Sequence, residues 1–212
     1  MKYVFVDGYG NSENLWDSTI CDMEKINNNE VYYIKFDSIC DVKNYTYTDI
    51  YNRFKLKCIE LNDTIKIHGV GIGALFAINF AVEFPQIVES IFLVTPMLNV
   101  SALSRKVNRY LEVTKPGIIY KMKGQNKKEV ISLSKSLDFV DFDNVLIKVK
   151  CPTYIVCGAE DKIYKKYAIR LRDFIADAEA NFIDNFSHKY TDEVPTILRN
   201  LVLEFHGMYS NI

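Results

Sequence analysis

The chain has 212 residues, 49% of them hydrophobic and 25% charged, with a formal net charge of −1. That length suits one α/β domain with a buried core and is short for two, and the composition excludes a disordered or fibrous class. No apolar run approaches the roughly 18 residues of a membrane span, and Met1-Lys2-Tyr3-Val4-Phe5-Val6-Asp7 lacks the apolar stretch and cleavage site of a secretory leader, so a cytoplasmic protein without a membrane span is expected.

Five cysteines (Cys21, Cys40, Cys58, Cys151, Cys157) are odd in number and have neither C-x-x-C spacing nor histidine pairing. Reduced thiols are expected, rather than disulfides or a metal site. Cys157, inside an apolar strand pattern, reads as a small core hydrophobe.

In chain order, Lys2 to Val6 reads as a buried strand running into the turn-rich Asp7-Gly8-Tyr9-Gly10-Asn11-Ser12, with a helix around 13–25. A second strand is expected over 31–36. A helix over 48–60 follows, with Tyr51, Phe54, Leu56 and Ile59 at roughly helical spacing. Ile65 to Gly69 is a strand, its glycine-rich turn opens a helix that stops before Phe84-Pro85, and 88–94 is the next strand. Later come a strand over 153–157, a helix over 164–176, a short strand over 181–183 and a helix from about 194 to 205. Alternating strands and helices predict a mostly parallel twisted sheet with right-handed crossovers and helices on both faces.

Gly69-Val70-Gly71-Ile72-Gly73 is the informative turn. A dinucleotide fingerprint needs G-x-G-x-x-G, and the spacing here is G-x-G-x-G. A phosphate-binding loop needs Gly-Lys-Ser/Thr after the turn, and Ala74 follows Gly73. Glycine makes any tight strand-to-helix turn by default, and the nucleophile elbow, G-x-S-x-G, is the other reading, fitting every glycine position with Gly71 where the serine stands.

Three further segments fall in order with that turn. Asp7-Gly8-Tyr9-Gly10 follows the first core strand, Cys151-Pro152-Thr153-Tyr154-Ile155-Val156-Cys157-Gly158-Ala159-Glu160-Asp161 is a strand closing on an acid, and Ser187-His188 precedes a Val194-Pro195 helix. Together they resemble the α/β-hydrolase superfamily nearly end to end. The resemblance implies the α/β-hydrolase fold, Asp161 as triad acid and His188 as triad base, with Gly71 at the nucleophile position. It implies oxyanion donors in the backbone N–H groups of Tyr9 and Ile72, and no cofactor. Asp7 departs from the family's usual histidine.

The chemistry asks for these types. A serine hydroxyl attacks only when an imidazole takes its proton, the imidazole needs a carboxylate to fix its tautomer, and the oxyanion needs two preorganised donors. Each residue also has a plainer use. Asp161 suits the cap of the helix after it, His188 suits a surface loop, His68 suits strand packing, and His206 is assigned no role. An inactivating replacement would leave the rest of the machinery in place, whereas a natural loss gives no reason to keep Asp161 and His188. A parent with Ser at 71 is therefore the expectation, acting as a serine ester or thioester hydrolase. A non-catalytic binding or scaffold protein on the same fold is the alternative.

Between the family's sixth and seventh core strands lies a cap that covers the site, and 97–137 occupies that place as a short basic helical insertion within one domain over 1–212. Arg105, Lys106, Arg109, Lys115, Lys121, Lys123, Lys127, Lys128 and Lys135 face only Glu112 and Glu129, a net of +7 that leaves −8 for the rest. A solvated helical face accounts for such a run. The field would also steer an anionic partner to the site. No nucleic-acid motif accompanies it. An acyl group on an acidic acyl carrier protein or on coenzyme A fits better, and methyl esterases of pimeloyl-carrier protein share this size and charge logic by family resemblance.

Overall fold

A computed structural model describes residues 1–9, 15–26, 29–96, 116, 126–137, 142–184, 186 and 193–208. Among them six strands, β1 (Lys2–Val6), β2 (Glu30–Ile34), β3 (Ile65–Val70), β4 (Val88–Val94), β5 (Thr153–Gly158) and β6 (Ala178–Ile183), form one sheet in the order β2-β1-β3-β4-β5-β6. Every neighbouring pair is parallel. The helices are α1 (Asp17–Lys25), α2 (Tyr47–Glu60), α3 (Ile72–Glu83), α4 (Lys127–Ser136), α5 (Phe142–Leu146), α6 (Lys162–Phe174) and α7 (Val194–Phe205).

The period-two alternation of the strands divides the core in two. Val4, Val6, Ile65, Ile67, Ile91, Leu93, Ile155 and Cys157 pack on one face with residues of α2 to α6. Tyr3, Phe5, Val70, Phe92, Val94 and Val156 pack on the other with α1 and α7. Central strands buried on both faces must be apolar throughout, and these are. α3 lies deepest, with nine of its residues buried, which is why its sequence shows no polar stripe.

Two glycines set how closely α3 sits. A Cβ on Gly69 would come 2.5 Å from the Gly73 carbonyl, and one on Gly73 would come 2.6 Å from the Asp7 carbonyl oxygen. The first turn of α3 is thus pressed against both β3 and the end of β1.

Several boundaries differ from the sequence expectation, each for a local reason. α1 starts at Asp17 because Leu15 and Trp16 form a turn that buries both side chains. β2 stops at Ile34 because Phe36 opens a 3₁₀ turn over Phe36–Ser38, in which the Ser38 hydroxyl donates to the Lys35 carbonyl at 2.7 Å. α6 starts at Lys162, immediately after its capping residue. β6 runs from Ala178 because β5 supplies partners from Thr153 onward, although edge position leaves it half-buried and without a clear apolar pattern. The short α5 was not anticipated. No described helix is long and apolar enough to cross a membrane.

Within the basic segment, α4 is docked on the domain by its carboxyl end. The Ser136 hydroxyl accepts from the Tyr47 N–H and donates to the Leu133 carbonyl, both at 2.7 Å, and Leu133 and Leu137 are buried. Arg105, Lys106, Arg109, Lys115, Lys121 and Lys123 lie outside the described residues.

Candidate active site

All six strands point the same way, so the ends of β1, β3, β4, β5 and β6 meet at one edge. The sheet order reverses between β1 and β3, since the chain goes outward from β1 to β2 and then returns to build β3 to β6 on the other side. Crevices at such switch points are where open α/β sheets hold ligands. Gly8 and Gly71 stand there.

Gly71 caps α3 with φ 57° and ψ −112°, a backbone pair that L-residues adopt only under strain. Its N–H donates to the Val94 carbonyl at 2.9 Å, which fixes the turn to β4. Among the described residues, a Cβ built on Gly71 would meet only the Gly8 Cα within 4 Å, at 3.8 Å, an ordinary contact. The neighbouring glycines offer no such room. A Cβ on Gly8 would lie 2.9 Å from the Val70 carbonyl oxygen, and Gly69 and Gly73 are tighter still. Of the glycines at this crossing, Gly71 alone stands where a side chain fits.

The two expected oxyanion donors belong to the residues that follow Gly71 and Gly8 in the chain. Ile72 is the first residue of α3, where helix N–H groups have no intrahelical acceptor. Tyr9 follows Gly8, whose backbone packs directly on the elbow. The Tyr9 ring packs edge-on against Phe36, with centroids 5.3 Å apart, and against Tyr45 at 6.3 Å. Burial, with the Glu129 carboxylate of α4 adding to it, pushes the Tyr9 phenol up to about 12.

Asp7 is buried, and the Tyr33 hydroxyl from β2 donates to its two carboxylate oxygens at 2.8 and 2.9 Å. The departure from histidine therefore has a structural partner. Tyr33, one residue before the end of β2, was the missed half of this pair.

Asp161 caps α6, its Oδ1 accepting from the N–H groups of Ile163 and Tyr164 at 3.2 Å each. The plainer use of this residue is thus realised, at the same sheet edge as Gly71. His188 and its separation from Asp161 lie outside the described residues. The chain reaches that stretch from the carboxyl end of β6, with Phe186 buried against the α1 and α7 face.

His68, read as packing, is fully buried, and His206 is its partner. Nδ1 of His68 lies 3.2 Å from the Val4 carbonyl, and its Nε2 lies 2.8 Å from Nε2 of His206. A carbonyl can only accept, so His68 carries its proton on Nδ1, and His206 must donate from Nε2. Burial lowers the pKa of His68 to about 3 and that of His206 to about 2. Val194, Leu198, Val202 and His206 recur every four residues, a pattern that marks the His206 position as facing the core without naming its partner.

Sheet order, helix placement and the sharp positive-φ glycine turn after the third strand define the α/β-hydrolase fold. A hydrolase from Pseudomonas aeruginosa PA01 matches 97% of this chain and 90% of its own with a TM-score of 0.78 at 13% identity. An esterase from Thermogutta terrifontis matches 98% and 89%, with a TM-score of 0.73 at 15% identity. MenH from S. aureus matches 100% and 95%, with a TM-score of 0.75 at 14% identity. No family model and no curated protein sequence matches the chain.

Proposed function

We propose that this is a carboxylic ester or thioester hydrolase scaffold, built for acyl transfer through a serine, histidine and aspartate triad, in which Gly71 leaves the nucleophile's seat without its hydroxymethyl. Asp161 and His188 are the acid and base, and the N–H groups of Tyr9 and Ile72 are the oxyanion donors. The observation that carries this reading is the elbow: a positive φ at Gly71 that an L-residue would hold only under strain, room for a Cβ there among the described residues, and backbone clashes for a Cβ at Gly8, Gly69 and Gly73. Esterase and hydrolase structures among the fold's neighbours support the class of chemistry. A plain helix start would not need that strain.

Gly71→Ser tests it. The variant is expected to hydrolyse short p-nitrophenyl esters and to be labelled and blocked by a fluorophosphonate probe. A folded variant that does neither overturns the reading.

An anionic acyl carrier, either an acidic carrier protein or coenzyme A, is the substrate partner that suits the basic segment. Lys127 and Lys128 sit in the first turn of α4, where the helix dipole disfavours positive charge, so helix stability does not account for them. Reversing both charges should raise KM for a carrier-bound acyl thioester and spare a free p-nitrophenyl ester. The second reading, a non-catalytic binder, is favoured by the cap bond that engages Asp161.

A further inference from the structure

Gly71 is not the only residue with a positive φ at this edge. Thr95, the residue after β4, has φ 41° and is buried. A β-branched residue in the left-handed region is a conformational outlier, and Pro96 after it drives Thr95 further toward extended backbone. Such outliers persist where the surroundings over-determine them.

The register places Thr95 between the two halves of the site. Val70 pairs with Val94 and Val94 with Val156, so Gly71 and Thr95 are side by side at the ends of β3 and β4, with the β5 end beyond. Backbone bonds run across in sequence. The Gly71 N–H donates to Val94 at 2.9 Å, the Thr95 N–H donates to Val156 at 2.8 Å, and the Ala159 N–H donates to Ile183 at 2.9 Å. Two residues after Ala159 comes Asp161.

We infer that Thr95 is a positioning residue whose left-handed backbone holds the elbow at Gly71 and the turn carrying Asp161 at a fixed spacing. Its role in a reaction rests on the hydrolase reading above. Glycine would adopt this φ without strain, but it would also let the turn after β4 move. A branched side chain packed into the core keeps ψ fixed once φ has been forced, and the strain marks that constraint.

Two measurements test it in the full chain. With Thr95→Gly and no other change, amide hydrogen exchange at Gly71 and Ala159 should quicken about tenfold while the amides of Tyr3 to Phe5 stay as slow as before. Unchanged exchange at Gly71 and Ala159, or a uniform rise across the sheet, overturns the inference. With Thr95→Gly added to Gly71→Ser, kcat on p-nitrophenyl acetate should fall about tenfold and KM should stay within about twofold, since misplaced groups lower the rate more than the binding. If Gly71→Ser is active and Thr95→Gly leaves its kcat unchanged, the inference falls and the hydrolase reading survives. If Gly71→Ser is inert while the exchange at Gly71 and Ala159 quickens, the hydrolase reading falls and the spacing role of Thr95 stands.

Discussion

Two places three residues apart, one within β3 and one just past its end, deal with unusual groups in opposite ways. At His68 a titratable side chain sits deep in the core, and each of its ring nitrogens has a partner in the Val4 carbonyl or His206. At Gly71 there is no side chain at all, yet the backbone holds a φ foreign to L-residues and a Cβ there would meet only the Gly8 Cα among the described residues. The buried imidazole is explained by its own neighbourhood, whereas the glycine is not. A group whose local contacts account for it calls for no chemistry. A positive-φ turn with room for a Cβ at a switch point does.

The largest expected effect separates the glycines from one another. Gly69→Ala and Gly73→Ala would drive a methyl to 2.5 and 2.6 Å from backbone atoms. Backbone cannot swing aside, so each should cost about 3 kcal/mol or more in a denaturant titration. Gly71→Ala meets only a 3.8 Å contact and carries the strain of its φ, on the order of 1–3 kcal/mol. Equal losses at all three would erase the distinction between packing glycines and the seat.

Next comes His206→Ala. It removes the partner of a fully buried imidazole and opens a cavity against Tyr3 and Phe205, whose ring centroids lie 5.4 and 4.9 Å away. A loss of about 2–4 kcal/mol is expected in urea melts. In the Gly71→Ser background the esterase kcat should be unaffected, because the pair has no part in the chemistry.

Much of this was legible in the sequence. The four ordered segments resembled the fold that the sheet order bears out, and the unbroken apolar runs Tyr3 to Val6 and Ile91 to Val94 read as strands, the first of them as a buried one. The plainer use of Asp161, as a cap, was legible beside its expected triad role because aspartate after a strand satisfies helix N–H groups by purely local geometry. Contacts between distant segments were not legible. Tyr33 with Asp7 and His206 with His68 depend on which strands are neighbours, and no spacing along one element encodes that. The strain at Thr95 was equally hidden, since a threonine before a proline reads as extended chain.

The histidine pair also sets an acid limit. Unfolded imidazoles take up protons as pH falls through 6.5, whereas the folded pair resists until about 3 and about 2. The unfolded state therefore binds more protons in that window, and the stability from the neutral pair, complete above 6.5, is lost progressively as pH drops toward 3. The slope should be on the order of 1 kcal/mol per pH unit for each histidine, read from urea midpoints between pH 7 and 5. A His68→Phe, His206→Leu double variant should flatten it. An unchanged slope would place the acid sensitivity elsewhere.

The smallest stability change belongs to Asp161, and it separates the two uses of that residue. Asn caps a helix about as well as Asp, and Ala does not. Asp161→Ala should therefore lose about 1 kcal/mol through the Ile163 and Tyr164 N–H groups, while Asp161→Asn should melt like the parent. In a Gly71→Ser enzyme the ranking changes. An amide cannot hold the histidine in its working tautomer, so Asp161→Asn should lower kcat by roughly 10⁴-fold without a matching loss of stability. If Asp161→Asn is as active as its parent and only Asp161→Ala suffers, Asp161 is a helix cap and nothing more, and the acid of the triad must be sought on another strand end.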